Sequence, residues 1–228
     1  MTRLEKIGIV MFVAGCVQAA PPGSAVVPEP INTVEAEIAS DRAADSLLVD
    51  VRALEPGIVV DMRYATADNF TGAPLPGYHA NRAELRREAA AALARVQRSL
   101  RERGLGLKVF DAYRPARATR AMVDWTKRAN RADLLRDGYI ASRSRHNLGV
   151  AVDLTLIELG SGRELDMGTA FDTFSEAAHT ANASGEVAAN RQLLKLGMER
   201  EGFTNYDKEW WHFSFTVRGP LRFDRPIR

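Results

Sequence analysis

Two short stretches hold residues able to bind a metal or move a proton: S-R-H-N-L-G-V-A-V-D at 144–153 and E-W-W-H at 209–212. His146 and Asp153 are seven positions apart, an odd number. On one straight strand they would point to opposite faces and lie about 23 Å apart at roughly 3.3 Å per residue. They meet at one ion only if the chain doubles back between them. Asn147-Leu148-Gly149 has the turn chemistry for that, and Val150-Ala151-Val152 reads as a returning strand. Alone, the pair fits equally well a surface turn running into a strand with a capping Asp. His212, one of four histidines in the chain, would complete a His₂Asp set that suits Zn²⁺ and leaves a fourth position for water. Glu209, three residues earlier, is a carboxylate free to take a proton. The competing reading of E-W-W-H is an aromatic core strand with a surface Glu and a polar edge His.

The elements that must position these groups can be read from periodicity. L-L-V-D-V-R (47–52) and G-I-V-V-D-M-R-Y-A-T (57–66) have the β-branched alternation of short strands. Residues 69–82, with Gly72, Pro74, Pro76 and Gly77, have loop chemistry. Leu85, Ala89, Leu93, Val96 and Leu100 form one helical stripe, which Gly104 is placed to end. L-G-L-K-V-F-D-A-Y (105–113) reads as a buried strand. Pro115 opens a second helix with Ala118, Met122 and Trp125, and a third covers Glu186 to about Arg200, ended by Gly202. W-W-H-F-S-F-T-V (210–217) reads as a closing aromatic strand. Helices and strands mix without regular β-α-β alternation, which predicts an α+β domain with a small antiparallel sheet flanked by helices.

The chain begins with a short apolar run, I-G-I-V-M-F-V-A-G (7–15), behind Arg3 and Lys6 and diluted by Glu5. This is signal-peptide chemistry. Val13-Ala14-Gly15-Cys16 resembles a bacterial lipobox, in which the cysteine becomes the lipidated N-terminus. The alternative is a secretory leader cut after Ala19 or Ala20. Either predicts export, to the periplasm, with a membrane anchor if Cys16 is lipidated. Residues 1–16 are thus expected to be the leader, 17–45, rich in Ala, Pro and small polar residues, a flexible tether, and 46–228 the folded domain. Cys16 is the sole cysteine, so no internal disulfide forms. A net charge of +2 and 26% charged residues, with no basic block interleaved with aromatics, argue against a nucleic-acid partner. Oligomeric state leaves no mark on the sequence.

Ser144-x-His146-x-x-Gly149-x-Ala151-x-Asp153 followed by Glu209-x-x-His212 resembles the VanX-type D-alanyl-D-alanine dipeptidases, a family of zinc D,D-peptidases. The likeness extends to D-M-R-Y-A-T (61–66), N-F-T-G (69–72), D-A-Y-R-P (111–115), Met167-Gly168 and Phe171-Asp172, in order, and so spans roughly Val59 to Phe215. It implies that His146, Asp153 and His212 hold one zinc per chain and that Glu209 is the catalytic base. It implies that Arg114 faces the scissile carbonyl and stabilises the developing oxyanion. Without the family, Arg114 reads as a surface Arg before a helix-opening Pro. Ser144 and Asp172 resemble the groups that receive the substrate's free ammonium, and Tyr64 the pocket wall. Asp172 also suits a helix N-cap before Phe174, and Tyr64 a core tyrosine. His79 and His179 match no ligand position.

The function so implied is hydrolysis of the D-Ala-D-Ala dipeptide in peptidoglycan metabolism, with Glu209 taking a proton from the attacking water. Two alternatives use the same residues. One is a D,D- or L,D-carboxypeptidase acting on stem peptides, which must leave the amine end open. The other is a non-catalytic zinc module binding wall fragments, which needs neither Glu209 nor Arg114.

Overall fold

The structure, a computed structural model, describes residues 38–228. The expected leader, Cys16 and the tether up to residue 37 lie outside the described residues. Among the described residues no helix is long and apolar enough to cross a membrane.

A five-stranded sheet organises the domain. In chain order the first elements are β1 (Ile38–Ala39), α1 (Asp41–Leu47), β2 (Leu48–Asp50), α2 (Val51–Leu54), β3 (Val59–Val60) and β4 (Glu84–Arg86). They are followed by α3 (Arg87–Arg101), β5 (Leu105–Asp111), α4 (Ala116–Arg128), α5 (Asp133–Arg136) and β6 (Ala151–Glu158). The last are α6 (Gly185–Arg200), β7 (Phe203–Asn205), β8 (His212–Phe215) and β9 (Arg222–Phe223). The main sheet runs β3-β5-β6-β8-β7. Helices and an almost wholly antiparallel sheet make the domain α+β, as the sequence pattern predicts. One edge departs from that pattern, because β3 joins β5 in parallel.

β5 and β6 are central, and Leu107, Val109, Val152, Leu154 and Leu156 are fully buried. Both read as near-continuous apolar runs for that reason. α3 buries Ala89, Leu93, Val96 and Leu100 as one stripe, while Leu85, expected on the same stripe, is buried in β4 just before the helix; Gly104 (φ +72°) follows α3. The left-handed conformation there is open to glycine without a Cβ clash.

Several expectations are corrected. L-L-V-D-V-R is not one strand: Asp50 ends β2 and caps α2, its Oδ1 accepting from the Arg52 N–H at 2.9 Å. A local side-chain acceptor outcompetes the ladder here. Only Val59 and Val60 of 57–66 are strand, since the Asn81 side chain then takes over as backbone partner. It accepts from Met62 N at 2.9 Å and donates to Val60 O at 2.9 Å, and the chain turns into a 3₁₀ turn at Arg63–Ala65. The fold also starts earlier than residue 46. β1 pairs with β9, Ser40 caps α1 by accepting from Ala43 N at 3.3 Å, and Ala44 is fully buried. The Ala-, Asp- and Arg-rich segment that resembles a tether is a capped helix with one buried face.

Candidate active site

Three neighbouring strands align three of the site's residues. Asp153 of β6 is the register partner of His212 on β8 and of Asp111 on β5, past a bulge between Val109 and Asp111. Register partners share a face, so Asp111, Asp153 and His212 form a row across the sheet. His146 reaches the row by the reversal that its spacing requires. Arg145–Leu148 form a 3₁₀ turn capped by Ser144, whose Oγ accepts from His146 N at 3.2 Å. Gly149 closes the turn at φ +66°. A Cβ there would come within 2.4 Å of Leu48 Cδ2, so only glycine fits both the angle and the approach. β6 then leads straight to Asp153.

The E-W-W-H stretch is not strand throughout. β8 starts at His212, and His212 N donates to Glu209 O at 3.2 Å across a tight turn. On a straight strand two residues three apart would face opposite ways, about 10 Å from each other. The turn instead brings Glu209 Oε2 to 3.9 Å from His212 Nδ1. Trp210 and Trp211 are buried, and Trp210 Nε1 donates to Thr169 Oγ1 at 2.8 Å. The aromatic pair anchors the turn while its two ends face the site.

One donor atom from each of His146, Asp153 and His212 lies within 4.8 Å of the others. His146 Nδ1 lies 2.6 Å from Ala112 O. A carbonyl only accepts, so Nδ1 carries the proton and Nε2 turns its lone pair to the site. Nε2 is 3.2 Å from His212 Nδ1 and 3.4 Å from Asp153 Oδ2, and His212 Nδ1 is 2.8 Å from Asp153 Oδ1. Two imidazole nitrogens and a carboxylate so converged are a donor set that fits Zn²⁺. Burial raises the Asp153 pKa, but His146 and His212 outweigh it and hold the carboxyl well below the usual range. Burial lowers that of His212. Both shifts favour the ligand forms, an anion and a neutral ring.

Arg114 is not a surface residue. It is buried, with Nε 2.8 Å and Nη2 2.7 Å from Asp111 Oδ2 and Nη2 3.6 Å from Asp153 Oδ2. Its guanidinium carbon stands 5.0 Å over the Tyr64 ring. Burial alone would lower its pKa, yet Asp111 above all holds it well up. Its backbone is tied to the turn that carries His146: Arg114 N donates to His146 O at 3.1 Å, and Asn147 Nδ2 donates to Arg114 O at 2.8 Å.

Asp111 is the residue that the site reading missed. It also accepts from the Tyr78 hydroxyl at 2.6 Å and sits 3.4 Å from His146 Nδ1. Its sequence signals are a charge inside an apolar strand run, V-F-D-A, and its place at the head of the D-A-Y-R-P block. Tyr64 is both buried and at the site, its hydroxyl 3.0 and 3.1 Å from the two Asp172 oxygens. Asp172 is no helix cap, because the next helical turn begins only at Glu176. It is half-buried and holds a left-handed φ of +60°. Burial first, then the Asp153 charge, pushes its carboxyl well up. Glu209 is raised by burial first, then by Asp153 and Asp172. His79 is exposed, and His179 Nε2 lies 3.0 Å from the Tyr139 hydroxyl, so neither enters the site.

A His₂Asp cluster with two of its three members buried, beside a buried glutamate and a buried arginine, could hold a metal ion next to a proton acceptor and a fixed cation. A family profile described as D-ala-D-ala dipeptidase, Peptidase M15, matches residues 44–227. The chain belongs to this family. A D-alanyl-D-alanine dipeptidase of Enterococcus faecium is 38% identical over 172 residues, 69% of this chain and 85% of the relative. One from Streptomyces coelicolor is 37% identical over 191 residues, 76% of this chain and 95% of the relative. One from Escherichia coli is 37% identical over 168 residues, 73% of this chain and 83% of the relative. Among solved structures, the LdcB LD-carboxypeptidase is similar at a TM-score of 0.41 and 20% identity, covering 60% of this chain and 61% of that one.

Proposed function

We propose that this chain hydrolyses D-Ala-D-Ala with one zinc ion held by His146, Asp153 and His212. Bound there, zinc supplies a Lewis-acid charge that polarises a carbonyl and brings the pKa of water towards about 7. Glu209 takes the proton of the attacking water. Its raised pKa suits that role, because a base acts best when its pKa approaches the working pH. Arg114 donates to the carbonyl oxygen as negative charge develops, from a guanidinium already fixed by Asp111. Glu209 then passes the proton to the departing amine.

The observation that carries the dipeptide reading is Asp172. A half-buried carboxylate whose hydrogen-bond partner is a neutral tyrosine hydroxyl, and which burial and the Asp153 charge push well up, is stabilised when a further cation meets it. The dipeptide's free ammonium is such a cation. The family resemblance assigns Ser144, whose Oγ caps the His146 turn, to the same ammonium, and Tyr64, bonded to Asp172, to the pocket wall. A stem peptide has an amide in place of that ammonium and leaves Asp172 unpaired. The purified domain should therefore release D-Ala rapidly from D-Ala-D-Ala and slowly or not at all from a stem pentapeptide. Faster release from the pentapeptide would make it a carboxypeptidase, and no release from either a binding module.

The chain is further proposed to be exported and anchored in the periplasm through lipidated Cys16. The support is the apolar run followed by Val13-Ala14-Gly15-Cys16. Cys16→Ser should move the protein out of the membrane fraction or leave it unprocessed. A wild-type protein that is soluble after export, beginning at Ala20 or Pro21, would show a cleaved leader and no anchor.

A further inference from the structure

Arg191 of α6 is 2% exposed and has no part in the chemistry above. Its guanidinium donates only to main-chain carbonyls among the described residues. Nε reaches Met167 O at 2.8 Å, Nη1 reaches His179 O at 2.7 Å and Asn182 O at 3.4 Å, and Nη2 reaches Ala177 O at 2.9 Å. Met167 and Ala177 stand five residues before and five after Asp172. One buried cation thus grips both ends of the segment that presents Asp172.

That segment needs holding. Between Met167 and Asn182 its only regular element is the 3₁₀ turn Glu176–Ala178, so its inward carbonyls have no ladder or helix to join. Asp172 lies in the left-handed region, which a non-glycine residue keeps only when its surroundings over-determine it. The segment is also pressed against α6. A Cβ on Gly168, at φ +79°, would stand 2.7 Å from Val187 Cγ1 and 3.3 Å from Arg191 Nη2. Asn190 Nδ2 adds a bond to Asp166 O at 3.0 Å, and Trp210 N donates to Ala178 O at 3.1 Å. Plain core stability does not require a guanidinium here, since apolar side chains fill a core without the cost of burying a charge. What a five-donor fork adds is fixed geometry over several carbonyls at once.

We propose that Arg191 is a positioning residue: it clamps residues 167–182 so that the Asp172 carboxylate, opposite Tyr64, stands where the substrate's ammonium docks. The identity of that ammonium rests on the dipeptidase reading; the clamp does not. Arg191→Met keeps the length and removes every donor, and Arg191→Lys keeps the charge with fewer donors. In Arg191→Met, amide exchange should rise within 167–182 and stay unchanged in β6. KM for D-Ala-D-Ala should rise by about tenfold to a hundredfold, the scale of a misplaced binding group, with kcat within a fewfold and Arg191→Lys between the two. In an Asp172→Asn background the same substitution should raise KM little further, because both act through one carboxylate. Should Arg191→Met fail to fold, Arg191→Lys carries the same measurements. Unchanged exchange in 167–182, a loss confined to kcat, or full additivity with Asp172→Asn would overturn the clamp. A wild-type chain inactive on the dipeptide would defeat the dipeptidase reading instead, and exchange would still decide the clamp.

Discussion

Glu209→Gln should keep the zinc and the fold and lose the chemistry. The amide is nearly the same size and still hydrogen-bonds, but it accepts no proton from the attacking water. General acid–base groups contribute about 10²- to 10⁴-fold, so kcat should fall by at least the lower figure. KM should move little, because Glu209 acts on the water and not on the dipeptide's termini. The side chain is buried and stands within the site, 3.9 Å from His212 Nδ1. Arg114→Ala should also cut kcat with zinc retained, for a separate reason: the oxyanion loses its donor. If Glu209→Gln stays within a fewfold of wild type, the E-W-W-H turn supplies a ligand and an aromatic anchor but no base. Asp172 would then be the next carboxylate to test.

His146→Ala and His212→Ala should each lose most of the metal and, with it, activity. The two imidazoles stand 3.2 Å apart at their facing nitrogens, and among the described residues His146, Asp153 and His212 form the one group whose donor atoms all lie within 4.8 Å of one another. Removing either leaves two protein ligands, below the three that hold catalytic zinc. His146 carries a further dependence. Its ring orientation is set by the Nδ1–H bond to Ala112 O, just past the end of β5 that carries Asp111, so a central strand supports a residue that stands on the turn before β6. Full zinc occupancy in both variants would overturn the ligand assignment.

How much of this was legible beforehand varies with the physical signal. α3 was readable because its apolar spacing and following glycine are local, and the end of α6 because Gly202 is. The His146–Asp153 reversal was readable because Gly149 and an odd spacing leave few ways for both to reach one ion. The parallel β3 edge was not, since pairing partners are chosen by tertiary contact. The same holds for Asn81 replacing a strand, whereas Asp50 ends one by a local cap that the apolar alternation around it masks. Arg114 looked like a surface residue because its countercharge, Asp111, is hidden inside an apolar run. The row of Asp111, Asp153 and His212 emerges only from strand register, which spacing along one chain segment does not encode. Residues 38–45 read as tether from composition, whereas capping by Ser40 and burial of Ala44 make them part of the fold.

The central claim, that D-Ala-D-Ala hydrolysis runs through zinc held by His146, Asp153 and His212, is tested most directly by titration of the metal-free protein. Protein stripped with a strong chelator should be inactive on D-Ala-D-Ala. Added Zn²⁺ should restore D-Ala release in proportion, saturating at about one equivalent per chain, and His212→Ala should not recover under the same titration. Hydrolysis that persists in the stripped protein, or recovery by His212→Ala at one equivalent, would contradict the account.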